Sequence, residues 1–104
     1  MAQFDVFENP ITRARRAYPL VAVLQADVAD TGRERVVAPL VPLARLPGTI
    51  GRVTPHVTVL NQDYVLLVPS MTAVLASDLS VRRDAIASYR DEIVAALDHL
   101  FLGV

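Results

Sequence analysis

The sequence predicts a mainly β fold, a small antiparallel barrel or sandwich closed by one C-terminal helix, and three observations predict it. Short runs rich in Val, Leu and Phe recur along the first three quarters of the chain, each bounded by Gly, Pro, Asn or Asp. No helical pattern lies between these runs, so nothing supplies the crossovers of a parallel sheet. Residues 88–102, by contrast, carry apolar side chains at helical spacing.

Each element follows in order. "QFDVFE" (residues 3–8) alternates Phe4 and Val6 against Asp5 and Phe7, the period of a strand. "NPITRARRAYP" is a polar loop with Pro10 and Pro19 near its ends. "LVAVLQADV" reads as a short buried strand, and "ADTGRER" as a turn in which Asp30 bonds its own backbone and Gly32 supplies a positive φ. "RVVAPLVPLARLPG" is apolar, but Pro39, Pro42 and Pro47 each lack a donor, and proline is tolerated only at edges, bulges and strand ends, which predicts a strand that bends and then leaves the sheet. "HVTVLNQDYVLLVP" is the clearest hairpin, residues 57–60 and 64–68 flanking a three-residue loop "NQD". "MTAVLA" is expected to be the last strand. The helix "SYRDEIVAALDHLFL" has Ser88 as its expected N-cap, Asp91 and Glu92 in the first turn where the dipole favours negative charge, and Gly103 at the left-handed position past its end.

Composition narrows the function classes. The 104 residues are expected to form one domain, residues 1–104, and are 53% hydrophobic with a mean hydropathy of +0.39. A small domain hides that much apolar surface poorly by itself, which favours a homodimer. The longest apolar run, residues 36–44, is far short of a bilayer span, and the start "MAQFDVFE" lacks the charged and apolar regions of a signal peptide, so a cytoplasmic protein with no membrane partner is expected. The absence of cysteine removes disulfides, thiolate metal sites and thiol nucleophiles. A net charge of −1 argues against phosphate-backbone binding, so no direct sequence-specific nucleic-acid partner is expected. All ten basic residues are arginine, the side chain suited to bidentate pairing with carboxylates.

No catalytic constellation stands out. His56 and His99 are more than 40 positions apart and lack zinc spacing. Ser70 sits in "VPSM", not in a nucleophile elbow, which discounts a triad with Asp63 and His56. Arg33, Arg35 and Asp30 are available to a ribonuclease, but no residue is visibly its base. Neither a cofactor nor a metal is expected.

The end of the chain, "HLFLGV", holds four apolar residues in six, where polar tails are usual. On a helical wheel Ile93, Leu97, Leu100, Phe101 and Val104 share one arc of roughly 100°, expected to face the sheet. Leu102 projects from the opposite, polar side, beside Asp91, Asp98 and His99, and reads either as a singly exposed leucine or as a docking knob with Phe101 and Val104 at its rim.

The chain resembles the CcdB toxins of plasmid and chromosomal toxin–antitoxin systems, poisons of bacterial DNA gyrase. The resemblance covers essentially the whole chain and is carried by "QFDVF", "YPLVAVLQADVADTGRERVVAPL", "SMTAVLASDL" and the helix running into "LFLGV". It implies an SH3-like barrel with an antiparallel sheet and one C-terminal α-helix, working as a symmetric homodimer. It implies a protein that performs no chemistry, binds the gyrase A subunit on cleaved DNA and is neutralised by a cognate antitoxin whose disordered segment folds on it. The implied gyrase-binding residues are Leu102, Gly103, Val104, Phe101 and Asp98, with Val28 and Ala29 on a neighbouring loop. The implied antitoxin loops are residues 9–16 and 46–52, with Arg13, Arg15, Arg16, Leu46 and Arg52. Strong poisons of the family carry tryptophan at the position of Leu102 and a neutral Asn at that of Asp98. An endoribonuclease on the same fold class, or a homologue that binds antitoxin without poisoning, are the alternative readings.

Overall fold

The computed structural model describes residues 1–29 and 32–104; Asp30 and Thr31, read above as part of a turn, lie outside the described residues. Seven strands, β1 (Asp5–Glu8), β2 (Leu20–Val23), β3 (Glu34–Pro42), β4 (His56–Val59), β5 (Gln62–Leu66), β6 (Thr72–Leu75) and β7 (Arg82–Ala85), precede one helix, α1 (Arg90–Leu102). All pairings are antiparallel, in the order β4-β5-β3-β2-β1-β7, with β6 joined to β3.

The apolar runs bury both faces of their strands, and period-two alternation sorts them. Val6, Leu20, Ala22, Ala38, Leu40, Val57, Val59 and Leu66 share one core with Ile86 and with Ile93 and Ala96 of α1. Phe7, Val21, Val23 and Val37 point the other way and pack with Leu79 and Val74. One core reached from five strands and the helix requires a curled sheet, a half-barrel. Side chains help bring its outer strands together. The Tyr89 hydroxyl accepts the Thr58 N–H at 3.1 Å, and Asp84 of β7 accepts the Leu60 N–H at 2.9 Å. Donors from Leu60 and Ala85, aided by Arg82 and opposed by slight burial, hold the Asp84 carboxyl below the usual carboxylate range.

Several expectations need correction. Pro39 is expected at an edge, a bulge or a strand end, but β3 is central there: β2 lies on one side, and β6 and then β5 on the other. It tolerates Pro39 because the partner changes there. Leu24 N–H bonds to Val36 O, so by alternation the Val21–Pro39 pair carries no ladder bond and the Pro39 nitrogen faces the changeover. On that side only the Pro39 carbonyl is used, by Leu67 N–H at 2.9 Å. The chain does leave the sheet at Pro42, into a 3₁₀ turn over Leu43–Arg45.

The hairpin turns on Leu60–Asn61 rather than on "NQD". Both residues have positive φ, +50° and +63°, as a type I′ turn requires, and that turn matches the strand twist. Asp63 therefore lies in β5, where its carboxylate meets His56 at 2.9 Å. "MTAVLA" is not the last strand, because the polar segment "RRDA" forms β7 along β1. Its charges hid it from a hydrophobic pattern and suit a sheet edge. The helix starts at Arg90, and Ser88 caps nothing; it sits in a 3₁₀ turn over Ala87–Tyr89, where the Tyr89 N–H bonds to Ile86 O.

The wheel prediction fails beyond the second turn. Ile93 and Ala96 are buried and Leu97 half-buried, but Leu100, Phe101 and Val104 are exposed. The helix outruns the sheet, so its last turn has no core beneath it. Among the described residues no helix is long and apolar enough to cross a membrane.

Candidate docking surface

The end of α1 combines a rigid base with an open apolar tip. Ile93 and Ala96 seat the first turns in the core, whereas Phe101, Leu102 and Val104 are 67, 71 and 69% exposed. Gly103 ends the helix at φ +72°, a conformation that only glycine adopts without strain, and its N–H returns to His99 O at 3.1 Å. The left-handed residue breaks the helical path, so Val104 leaves the arc that the wheel assigned to it.

Val104 meets the segment of residues 46–54. There Thr49 Oγ1 donates to Leu46 O, Thr54 Oγ1 donates to Thr49 O, and Gly51 and Thr54 exchange backbone bonds of 3.3 and 3.2 Å. Arg52 stands at the tip of the turn so formed, and its Nη2 donates to the Val104 carbonyl oxygen at 3.0 Å. Between this turn and the helix runs an open cleft of about 470 Å³, with Arg52, Pro55 and His56 on one wall and Glu92, Ala95 and Asp98 on the other. Glu92 and Asp98 form no ion pair among the described residues.

Val28 and Ala29 do not line this cleft. Val28 is 94% exposed, in a turn where Ala29 N–H bonds to Ala26 O and the Gln25 amide bonds to Ala29 O.

The loops over residues 9–16 and 46–52 are brought together. Buried Asn9 pins the first, its Nδ2 donating to Tyr18 O at 2.8 Å and its Oδ1 accepting the Ile11 N–H at 3.0 Å. Arg45 donates to Arg16 O, and a hollow of about 200 Å³ between the loops is lined by Ala17, Tyr18, Val41, Arg45 and Leu46. The three arginines differ. Arg15 pairs with Glu8 at 3.2 Å, and Arg83 takes the other Glu8 oxygen at 3.0 Å. The guanidinium groups of Arg13 and Arg16 form no hydrogen bond or ion pair among the described residues.

The residues drafted for catalysis are not gathered. His56 pairs with Asp63, but Ser70 lines a separate apolar hollow with Ile11, Tyr18 and Val74. Arg35 is tied to the carbonyls of Gly32 and Glu34, and Arg33 shares no bond with His56 among the described residues. Asp30 lies outside the described residues. The features that sequence reasoning missed are the Arg52–Val104 contact, the Tyr89 hydroxyl and Asp84; each joins positions 24 to 52 apart, with no periodic signal to reveal it.

The arrangement is an exposed apolar tip on a seated helix, beside a charged cleft and two polar loops. None of the curated proteins compared matches the chain. A family model described as CcdB protein matches residues 3–103 of the 104. With the strands-then-helix fold and the protruding helix end in place, the chain belongs to the CcdB family, the toxins of toxin–antitoxin systems.

Proposed function

We propose that this protein is the toxin of a two-component pair and docks on the DNA gyrase A subunit through Phe101, Leu102, Gly103 and Val104. Asp98 lies beside that contact, and Val28 and Ala29 form its second patch. The whole chain acts as one toxin domain in the cytoplasm, as a symmetric homodimer. Binding while gyrase holds cleaved DNA favours the cleaved state, because a ligand shifts an equilibrium towards the form it prefers. A cognate antitoxin neutralises the toxin over residues 9–16 and 46–52, where Arg13 and Arg16 take its carboxylates and Leu46 and the neighbouring hollow take an apolar side chain.

The observation that carries the reading is the exposure of Phe101, Leu102 and Val104 on one helix end. Burying the exposed two-thirds of three such side chains is worth roughly 3–6 kcal/mol before association costs. Leu102 also favours a second reading, a homologue that binds antitoxin without poisoning gyrase. Leucine keeps apolar area but lacks the ring face on which an arginine stacks, a loss of roughly 0.5–2 kcal/mol, or about two- to thirty-fold in affinity.

The test incubates the protein with gyrase, ATP and supercoiled plasmid, adds detergent and protease, and looks for linear DNA. The gyrase of the source organism and an enterobacterial enzyme are run side by side. Linear DNA that disappears when residues 102–104 are deleted is the expected result. No linear DNA with either enzyme, from a folded protein, refutes poisoning and leaves the second reading.

A further inference from the structure

We infer that Arg52 is a positioning residue for the docking surface: its guanidinium holds the Val104 main-chain oxygen and sets the path of Gly103 and Val104 off the end of the helix. The inference deepens the gyrase-docking reading and rests on it for its functional consequence.

Three observations carry it. Gly103, at φ +72°, ends the helical hydrogen-bond pattern with a single return bond to His99 O, which leaves the direction of Val104 to be decided by something else. Val104 is 69% exposed, so apolar packing does not decide it. The one hydrogen bond formed by Val104 among the described residues is the 3.0 Å contact from Arg52 Nη2. Arg52 is itself well placed to impose a direction. It stands between Gly51 and Thr54, which exchange backbone bonds, and the Thr49 and Thr54 hydroxyls bond back into the same segment. A side chain on a self-bonded turn loses less freedom when it makes a contact than one on an open loop.

The consequence is pre-organisation. With Arg52 engaged, the apolar tip meets a partner in one orientation; without it, Gly103 and Val104 sample many and the partner must order them. Loss of one such bond corresponds to roughly two- to tenfold weaker docking.

The experiment uses Arg52→Gln and Arg52→Lys in the whole chain, with Lys as the conservative rescue because it keeps a charged donor of similar reach. Steady-state {¹H}–¹⁵N NOE values of the Gly103 and Val104 amides read the segment without any partner. Thermal melts check the fold, and titration of the gyrase A subunit reads docking. Wild type should show a Val104 NOE close to that of the helix, Arg52→Gln a marked drop, and Arg52→Lys a recovery, all at one melting temperature. Gyrase affinity should follow in the same order. A Val104 NOE that is equal in wild type and Arg52→Gln overturns the assignment. So does a drop in NOE with no change in affinity. If wild type fails to bind gyrase at all, the docking reading falls, and the NOE comparison still decides whether Arg52 directs the segment.

Discussion

Two leucine-sized side chains on one helix should behave in opposite ways. Ile93 is fully buried in the main core, whereas Leu102, nine residues on, is 71% exposed. Truncating Ile93 to alanine leaves a cavity and should cost about 2–5 kcal/mol. Truncating Leu102 removes contact from less than a third of a side chain whose full burial is worth about 1.5–3 kcal/mol, so its loss should be roughly 0.4–0.9 kcal/mol. Against a typical total of about 5–15 kcal/mol, the first change threatens the fold and the second does not. Urea unfolding at fixed protein concentration separates the two, with midpoint and slope both recorded. The gyrase assay should reverse the ranking: Leu102→Ala loses linear DNA, while Ile93→Ala keeps it wherever the variant remains folded. A Leu102→Ala loss above about 1.5 kcal/mol would refute the reasoning, because it would mean that this side chain is buried in the folded protein rather than available to a partner.

Three further outcomes follow from the same geometry. Asp84 has its pKa lowered by the Leu60 and Ala85 N–H groups, so its contribution is present above the unfolded carboxylate pKa of about 3.9 and is lost as pH falls through the lower folded value; wild type should therefore lose more stability than Asp84→Asn between pH 6 and 2, and parallel curves would contradict this. Tyr89→Phe removes the acceptor of the Thr58 N–H and should cost about 1–3 kcal/mol, with faster amide exchange at Thr58 as its local signature; unchanged exchange there would count against the bond. In Gly103→Ala nothing lies within 4 Å of the new Cβ, so strain of roughly 1–2 kcal/mol is the whole effect: the amide at 103 should exchange about five- to thirty-fold faster and the melting temperature should fall by several degrees, and unaltered exchange would contradict the left-handed cap.

The elements whose signal is local were legible in the order of the amino acids. A period-two run marked β1, short apolar runs bounded by turn residues marked β2 and the β4–β5 hairpin, the 3.6-residue period marked α1, and Gly103 marked its end. Leu102 is exposed as its angle on the wheel predicts, but so are Phe101 and Val104 on the opposite arc. Tertiary structure decided everything that depended on what lies alongside. Pro39 reads as an edge signal until two successive partners, β6 and β5, meet at that residue and make the missing donor harmless. β7 is invisible to a hydrophobic pattern because an edge strand with one open face gains its stability from the backbone of β1. Phe101 and Val104 fall on the apolar arc, yet burial depends on where the sheet stops, and it stops before the helix does. Arg52 and Val104 lie 52 positions apart, and only the closure of the chain between them turned a loop arginine into a contact for the helix end.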